Sequence, residues 1–205
     1  VINTSSSVYS AGGAINITGN AGASGSDNSD GVSIDTAAIG SASSGAITIV
    51  GSPGGGTGSE SISISGTTTI TSISSDVTLR GNNILTAGTT TLSTSGAVVL
   101  ESVASSGSVD ATALRVTGSP SSVRIGKSTS SGDVTLGASI VSVGAITVDG
   151  GQINLNSSLQ TTALNAGINI RAKTNIKNTA LATFPPHQAK LVQDCQESLL
   201  SHRHL

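Results

Sequence analysis

The carboxylates Asp27, Asp30, Asp35, Glu60, Asp76, Glu101, Asp110, Asp133 and Asp149 are the first residues to examine for chemistry. Cleaving a polysaccharide by acid–base work, or holding Ca²⁺, needs at least two carboxylates close together, often with a Lys or Arg alongside. Only Asp27 and Asp30 are near neighbours in sequence, although a coil could turn Asp133 and Asp149 to the same side. The remaining acids are spread evenly, which suits solubilising charges at corners better than a catalytic cluster. Arg124 and Lys127, in SSVRIGK, could form a small basic spot with Arg115. Solvated charges that discourage sideways aggregation account for them more simply.

Metal and phosphate chemistry find little support. GSPGGGTGSE (51–60) lacks both the regular Asp of calcium-binding repeats and the Lys-Ser or Lys-Thr and helix of a phosphate loop, so it is expected to be a corner or side loop. His187, Cys195, His202 and His204 are ligand types at spacings that match no common zinc pattern. Thr67, Thr68 and Thr69 and then Thr89, Thr90 and Thr91 suggest a threonine ladder of the kind that binds ice. With Asn16, Ser33, Ser63 and Asn154 at the outward positions elsewhere, that ladder is expected to be broken. We therefore expect no catalytic residue, no metal and no cofactor.

The elements that must position these residues are short and repeated. GGAINIT (12–18), DGVSIDT (30–36), SGAITIV (44–50), SESISIS (59–65), SDVTLRG (75–81), GAVVLES (96–102), GDVTLGA (132–138), GAITVDG (144–150), GQINLNS (151–157) and AGINIRA (166–172) share one plan. Each alternates apolar and polar residues between turn formers, the mark of a half-buried strand. From Ile15/Ile17 through Val32/Ile34, Ile47/Ile49 and Ile62/Ile64 to Val77/Leu79 the apolar pairs recur at nearly equal steps. The spacers are too polar and Gly-rich for crossover helices and too long for two-residue hairpins. The expected architecture is a coil whose strands stack in parallel on their copies. From position 66 onward closer spacing predicts three sides, with a rung of about 20 residues. Inward Ile, Val and Leu would stack up the axis, while Thr and Ser line the outside.

Composition agrees. One Phe, one Tyr and no Trp or Met leave little for an ordinary globular core. A formal charge of −2 with sparse Lys and Arg argues against a nucleic-acid partner, and no run of about 18 apolar residues is present to insert in a membrane. Positive mean hydropathy and low net charge argue against disorder. After position 177 the character changes. Residues 178–205 contain no Gly yet hold every His, the only Cys and the only Phe. This second unit is either a capping segment, with an amphipathic helix at 187–202 presenting Leu191, Val192, Cys195 and Leu199, or sequence foreign to the repeats.

GNNILTAGTTTLSTSGAVVLES (81–102) and GAITVDGGQINLNSSLQTTALNAGINIRAKTNI (144–176) resemble the repeats of filamentous haemagglutinin-like proteins. These are bacterial exoproteins of two-partner secretion, and similar repeats occur in autotransporter passenger domains. The likeness covers residues 1–177. It implies an all-β, right-handed parallel β-helix, export through an outer-membrane transporter partner, and a secreted or cell-surface location. It also implies a non-catalytic stalk or adhesive role toward a receptor or glycan on a host or neighbouring cell. An ice-binding solenoid and a polysaccharide-degrading β-helix enzyme are the alternatives.

Overall fold

Alternation in this chain is so regular that the inward column of each strand can be followed from one end of the structure to the other. The computed structural model describes residues 1–22, 26–42 and 44–178. Among these the regular structure is strand throughout, and every pairing between strands is parallel. The chain visits three faces in a fixed order. The turns are β1 (Ser7–Val8), β2 (Ile15–Asn20) and β3 (Val32–Asp35), followed by β4 (Ala38–Ser41), β5 (Ile47–Ser52) and β6 (Ile62–Ser65). Next come β7 (Thr67–Ser72), β8 (Val77–Gly81) and β9 (Ile84–Thr86), then β10 (Thr89–Ser93), β11 (Ala97–Ser102) and β12 (Val109–Ala111). The fifth turn is β13 (Leu114–Thr117), β14 (Ser122–Gly126) and β15 (Val134–Leu136). In the last two, β16 (Ile140–Ser142) leads to β17 (Ile146–Leu155), and β18 (Leu159–Thr161) to β19 (Ile168–Asn178). These long strands, β17 and β19, run through the second corner, between the second and third faces, and join them into one nearly closed sheet.

The core is a set of columns. On the second face Ile15, Ile47, Val77, Val98, Val123, Ile146 and Ile168 lie in register, as do Ile17, Ile49, Leu79, Leu100, Ile125, Val148 and Ile170. All but Ile17 are buried. Each such side chain contributes about 1.5–3 kcal/mol by leaving water, so the stability is that of a stack and not of any one contact.

Three sequence expectations need correction. The even step from Ile15 to Val32 to Ile47 is not a rung: Ile15 stacks on Ile47 and Val32 on Ile62, each passing over one copy of the pattern. Neighbouring copies such as Ile15/Ile17 and Val32/Ile34 belong to different faces. The coil is three-sided from its first turn, because the two-residue β1 and then β4, with a single large apolar residue in AIGS, supply the side that the pattern hid. Nor do all hydroxyls line the outside. Ser44, Ser61, Thr68, Ser72, Thr94, Ser102, Ser130, Ser142 and Thr161 are buried. Several donate to corner carbonyls: Ser72 Oγ to Gly45 O (3.0 Å), Thr94 Oγ1 to Ser75 O (2.6 Å) and Ser142 Oγ to Pro120 O (3.0 Å).

Rungs shorten along the chain. Hydrogen bonds between adjacent rungs join positions 30 apart at Asp35 and Ser65, 21 apart at Asp76 and Ala97 and 22 apart at Asp149 and Arg171. The extra length in the first two rungs lies at the second corner, in the connections from β2 to β3 and from β5 to β6. Loops 26–31 and 53–61, within the polar, Gly-rich spacers of the sequence, are stacked on one another: Asn28 N–H donates to Thr57 O (3.0 Å), Gly54 N–H to Ser29 O (2.9 Å) and Gly31 N–H to Glu60 O (2.9 Å). Residues 179–205, with the expected helix at 187–202 and with His187, Cys195, His202 and His204, lie outside the described residues.

Candidate functional site

The second corner is where charge collects. Glu101, near the end of β11, stands in register with Arg80 of β8, both facing outward. In the next rung the equivalent place falls to Gly126, whose φ of +80° and whose closeness to Asp149 O leave no space for a side chain: a Cβ there would sit 1.8 Å from that oxygen. Arg124 and Lys127, on either side of Gly126, lean over Glu101 instead. Arg124 Nη2 donates to Glu101 Oε2 at 2.6 Å, and Arg80 Nη2 and Lys127 Nζ each stand 3.7 Å from Oε1. The Glu101 side chain is 13% exposed. The hydrogen bond from Arg124 holds its carboxyl below the ordinary value of 4.5; burial opposes this, and the charges of Arg124, Arg80 and Lys127 add to it.

One rung further, Asp149 is buried at 2% exposure and is gripped by the Arg171 fork, Nε to Oδ1 at 2.6 Å and Nη2 to Oδ2 at 3.0 Å. Beside it Lys173 Nζ donates to Thr129 O (2.8 Å). A shallow groove lined by Ser128, Asp149, Gly150, Arg171, Ala172 and Lys173 opens here, where β17 and β19 cross the corner with no loop. Arg80, Arg124, Lys127, Arg171 and Lys173 therefore follow one corner, against the carboxylates Glu101, Asp133 and Asp149.

The lower part of the same corner is acidic. Asp27, Asp30 and Glu60 stand there with no Lys or Arg, the first of which in the sequence is Arg80; Asp35 ends β3 at the turn into β4 and Asp76 lies between β7 and β8, on the other two corners. Asp27 and Asp30, close in sequence, clasp the rung above, Asp27 Oδ1 accepting from Thr57 N–H and Asp30 Oδ1 from Glu60 N–H, each at 2.9 Å. Burial first, and the nearby charges of Asp30 and Asp110 next, push the Glu60 carboxyl above 4.5.

Clasping of this kind recurs. Asp76 Oδ1 accepts from Ala97 N–H (2.8 Å), Asn82 Oδ1 from Ala104 N–H (3.1 Å), Asn83 Oδ1 from Ser108 N–H (3.2 Å) and Asp133 Oδ1 from Gln152 N–H (3.1 Å). These Asp and Asn side chains fasten the first rung to the second, the third to the fourth and the fifth to the sixth. Asp133 and Asp149, a conceivable pair from sequence, turn to different partners, Gln152 and Arg171. Of the three expected basic residues, Arg124 and Lys127 meet on Glu101, whereas Arg115 is exposed on the first face in β13. Sequence reasoning does not single out Arg80 or Arg171, nor Glu101 beyond its place among the dispersed acids. The signal that could have found them is opposite charge at the rung interval, 23 positions from Glu101 to Arg124 and 22 from Asp149 to Arg171.

The threonine triplets do stack, Thr67 on Thr89 and Thr69 on Thr91, with Thr68 and Thr90 turned into the core. On this face Ala38 lies in register with Thr69 below and Arg115 with Thr91 above, so the outward array spans two rungs. Asn16, Ser33, Ser63 and Asn154, the outward residues set against that ladder, stand on the other two faces.

Among the described residues no three His, Cys, Asp or Glu side chains come together in a way that could hold a metal ion. No helix among them is long and apolar enough to cross a membrane. Comparisons of the chain with protein families, with curated proteins and with solved structures found no match.

Proposed function

We propose that the chain is a right-handed parallel β-helix segment of an exported bacterial filament. Its role is that of a non-catalytic stalk that displays adhesive faces outside the outer membrane, in the manner of the filamentous haemagglutinin-like proteins its repeats resemble. The observation that carries this reading is the unbroken parallel register from β2 to β19, in which each rung is built on its predecessor alone. A chain of that kind can fold as it emerges from an outer-membrane transporter, one rung at a time, because no contact waits for distant sequence.

The allocation of the carboxylates supports a mechanical role. Glu101 and Asp149 are engaged by arginines, while Asp27, Asp30, Asp76 and Asp133 accept backbone N–H groups of the next rung. Surfaces left to meet a receptor or glycan are the outward Thr, Ser and Asn rows and the stacked loops at 26–31 and 53–61.

Beads coated with the full chain should be retained on cultured host or bacterial cells above beads coated with an unrelated β-solenoid. Equal retention would remove the adhesive part of the reading. Incubation with neutral and acidic polysaccharides should release neither reducing ends nor unsaturated products, and release of either would overturn the non-catalytic part.

A further inference from the structure

The two charge poles lie on the same corner, and the corner changes shape between them. At the lower end, loops 26–31 and 53–61 project from the second corner and, with Asp27, Asp30 and Glu60, carry its acid. At the upper end, β17 and β19 pass the corner with no loop, leaving the groove beside Asp149, Arg171 and Lys173. Projection is thus acidic and recess is basic. In the first-to-seventh order of rungs, the two loops belong to the first and second, and the recess to the sixth and seventh. A two-fold axis across the corner at the fourth rung, the rung of Glu101, exchanges first with seventh and second with sixth.

We infer that the second corner is a self-complementary interface through which two copies of this chain pair antiparallel, the loops bearing Asp27, Asp30 and Glu60 of each copy seating in the groove beside Arg171 and Lys173 of the other.

Three observations select a second copy as the occupant. The segregation of charge along this corner is complete on one side, since its first two rungs carry Asp27, Asp30 and Glu60 and no Lys or Arg, whereas the rungs above carry Arg80, Arg124, Lys127, Arg171 and Lys173 beside Glu101, Asp133 and Asp149. A parallel side-by-side pair would set like poles against each other, while an antiparallel pair satisfies both ends at once, the property of a two-fold interface. Shape follows the same symmetry. The loops are also preformed, each stacked on the other through backbone hydrogen bonds, so docking them costs little ordering entropy. The charge-rich but aromatic-poor corner gives an association led by electrostatics, steep in ionic strength.

The test is sedimentation and light scattering of the full chain over a range of concentration and salt. A dimer at low salt that dissociates as salt rises, with no larger species, is expected. A monomer at all concentrations at low salt, or oligomers that keep growing with concentration as open head-to-tail contacts would, overturns the inference. Charge reversal then tests the pairing itself. K173E places acid against acid in a homodimer, and D30K/E60K places base against base, so each variant alone should be monomeric. Mixed in equal amounts they restore attraction at both ends and should form a 1:1 heterodimer. Failure of the mixture to associate, with both variants showing the wild-type strand spectrum by circular dichroism, also overturns it. Should either variant fail to fold, the salt and concentration series on the wild type decides.

Discussion

Asp149 carries a charge in a place where a charge is expensive, and a single partner makes it tolerable. With the residue 2% exposed, the Arg171 fork supplies hydrogen bonds to both carboxylate oxygens, while Arg171 itself remains about half open to solvent. Removing Arg171 should therefore cost more than a surface ion pair would. R171A is expected to lose about 1–3 kcal/mol by urea denaturation, because a buried charged acceptor is left short of donors. D149N/R171A should recover part of that loss; if R171A is silent, Asp149 is solvated by other means. Glu101 and Glu60 give opposite pH signatures. The Glu101 carboxyl is lowered, so its contribution is present above the unfolded value and lost as pH falls through the folded one. The Glu60 carboxyl is raised, so its contribution is present below the unfolded value and lost as pH rises through the folded one. E101Q should thus lower the urea midpoint at pH 7, and E60Q should raise it. Both differences from wild type should shrink on acidification. Shifts of the same sign at pH 7 would refute the assignment.

At the scale of the element, corners decide what strands cannot. Gly19 and Gly51 stand in register near the ends of their strands, and a Cβ on Gly51 would lie 1.8 Å from the carbonyl oxygen of Ser61, where the loop 53–61 closes back on the corner. G51A is therefore expected to cost about 3 kcal/mol, the upper part of the range for overpacking, because backbone and not a flexible side chain must give way. An unchanged melting curve would show that the loop can lift away. The strands themselves are legible in the sequence. Ile47-Thr-Ile49 or Val77-Thr-Leu79 has one buried face whatever surrounds it, and each of the repeated segments contains strand. Rung length is not legible in the first half, since a strand on the second face and one on the third carry the same alternation and AIGS carries almost none. Corner loops read as spacers because the Gly and Ser that make them flexible in isolation are also what lets two loops stack closely. The basic site escapes for a related reason: Arg80, Glu101 and Arg124 are remote in sequence and become neighbours only once the length of the rung at β8, β11 and β14 is known.

For the whole molecule, the consequence of stacking is that damage stays local. Each rung packs on the two beside it, so stability is close to a sum of rung and interface terms in one dimension. Leu100, fully buried in β11, stacks between Leu79 of β8 and Ile125 of β14. L100A should remove about 2–5 kcal/mol, its transfer free energy plus the cavity it leaves. In a globular core of this size that loss would be felt throughout. In a stack it should be concentrated on one rung and its neighbours. Amide hydrogen exchange followed by mass spectrometry separates the two outcomes. Peptides covering β8, β11 and β14 are expected to lose most protection in L100A, while those covering β2 and β19 keep nearly all of theirs. A uniform loss from one end of the stack to the other would mean that the chain unfolds as one unit, and that the rung-by-rung folding invoked for the proposed export is not a property of this sequence.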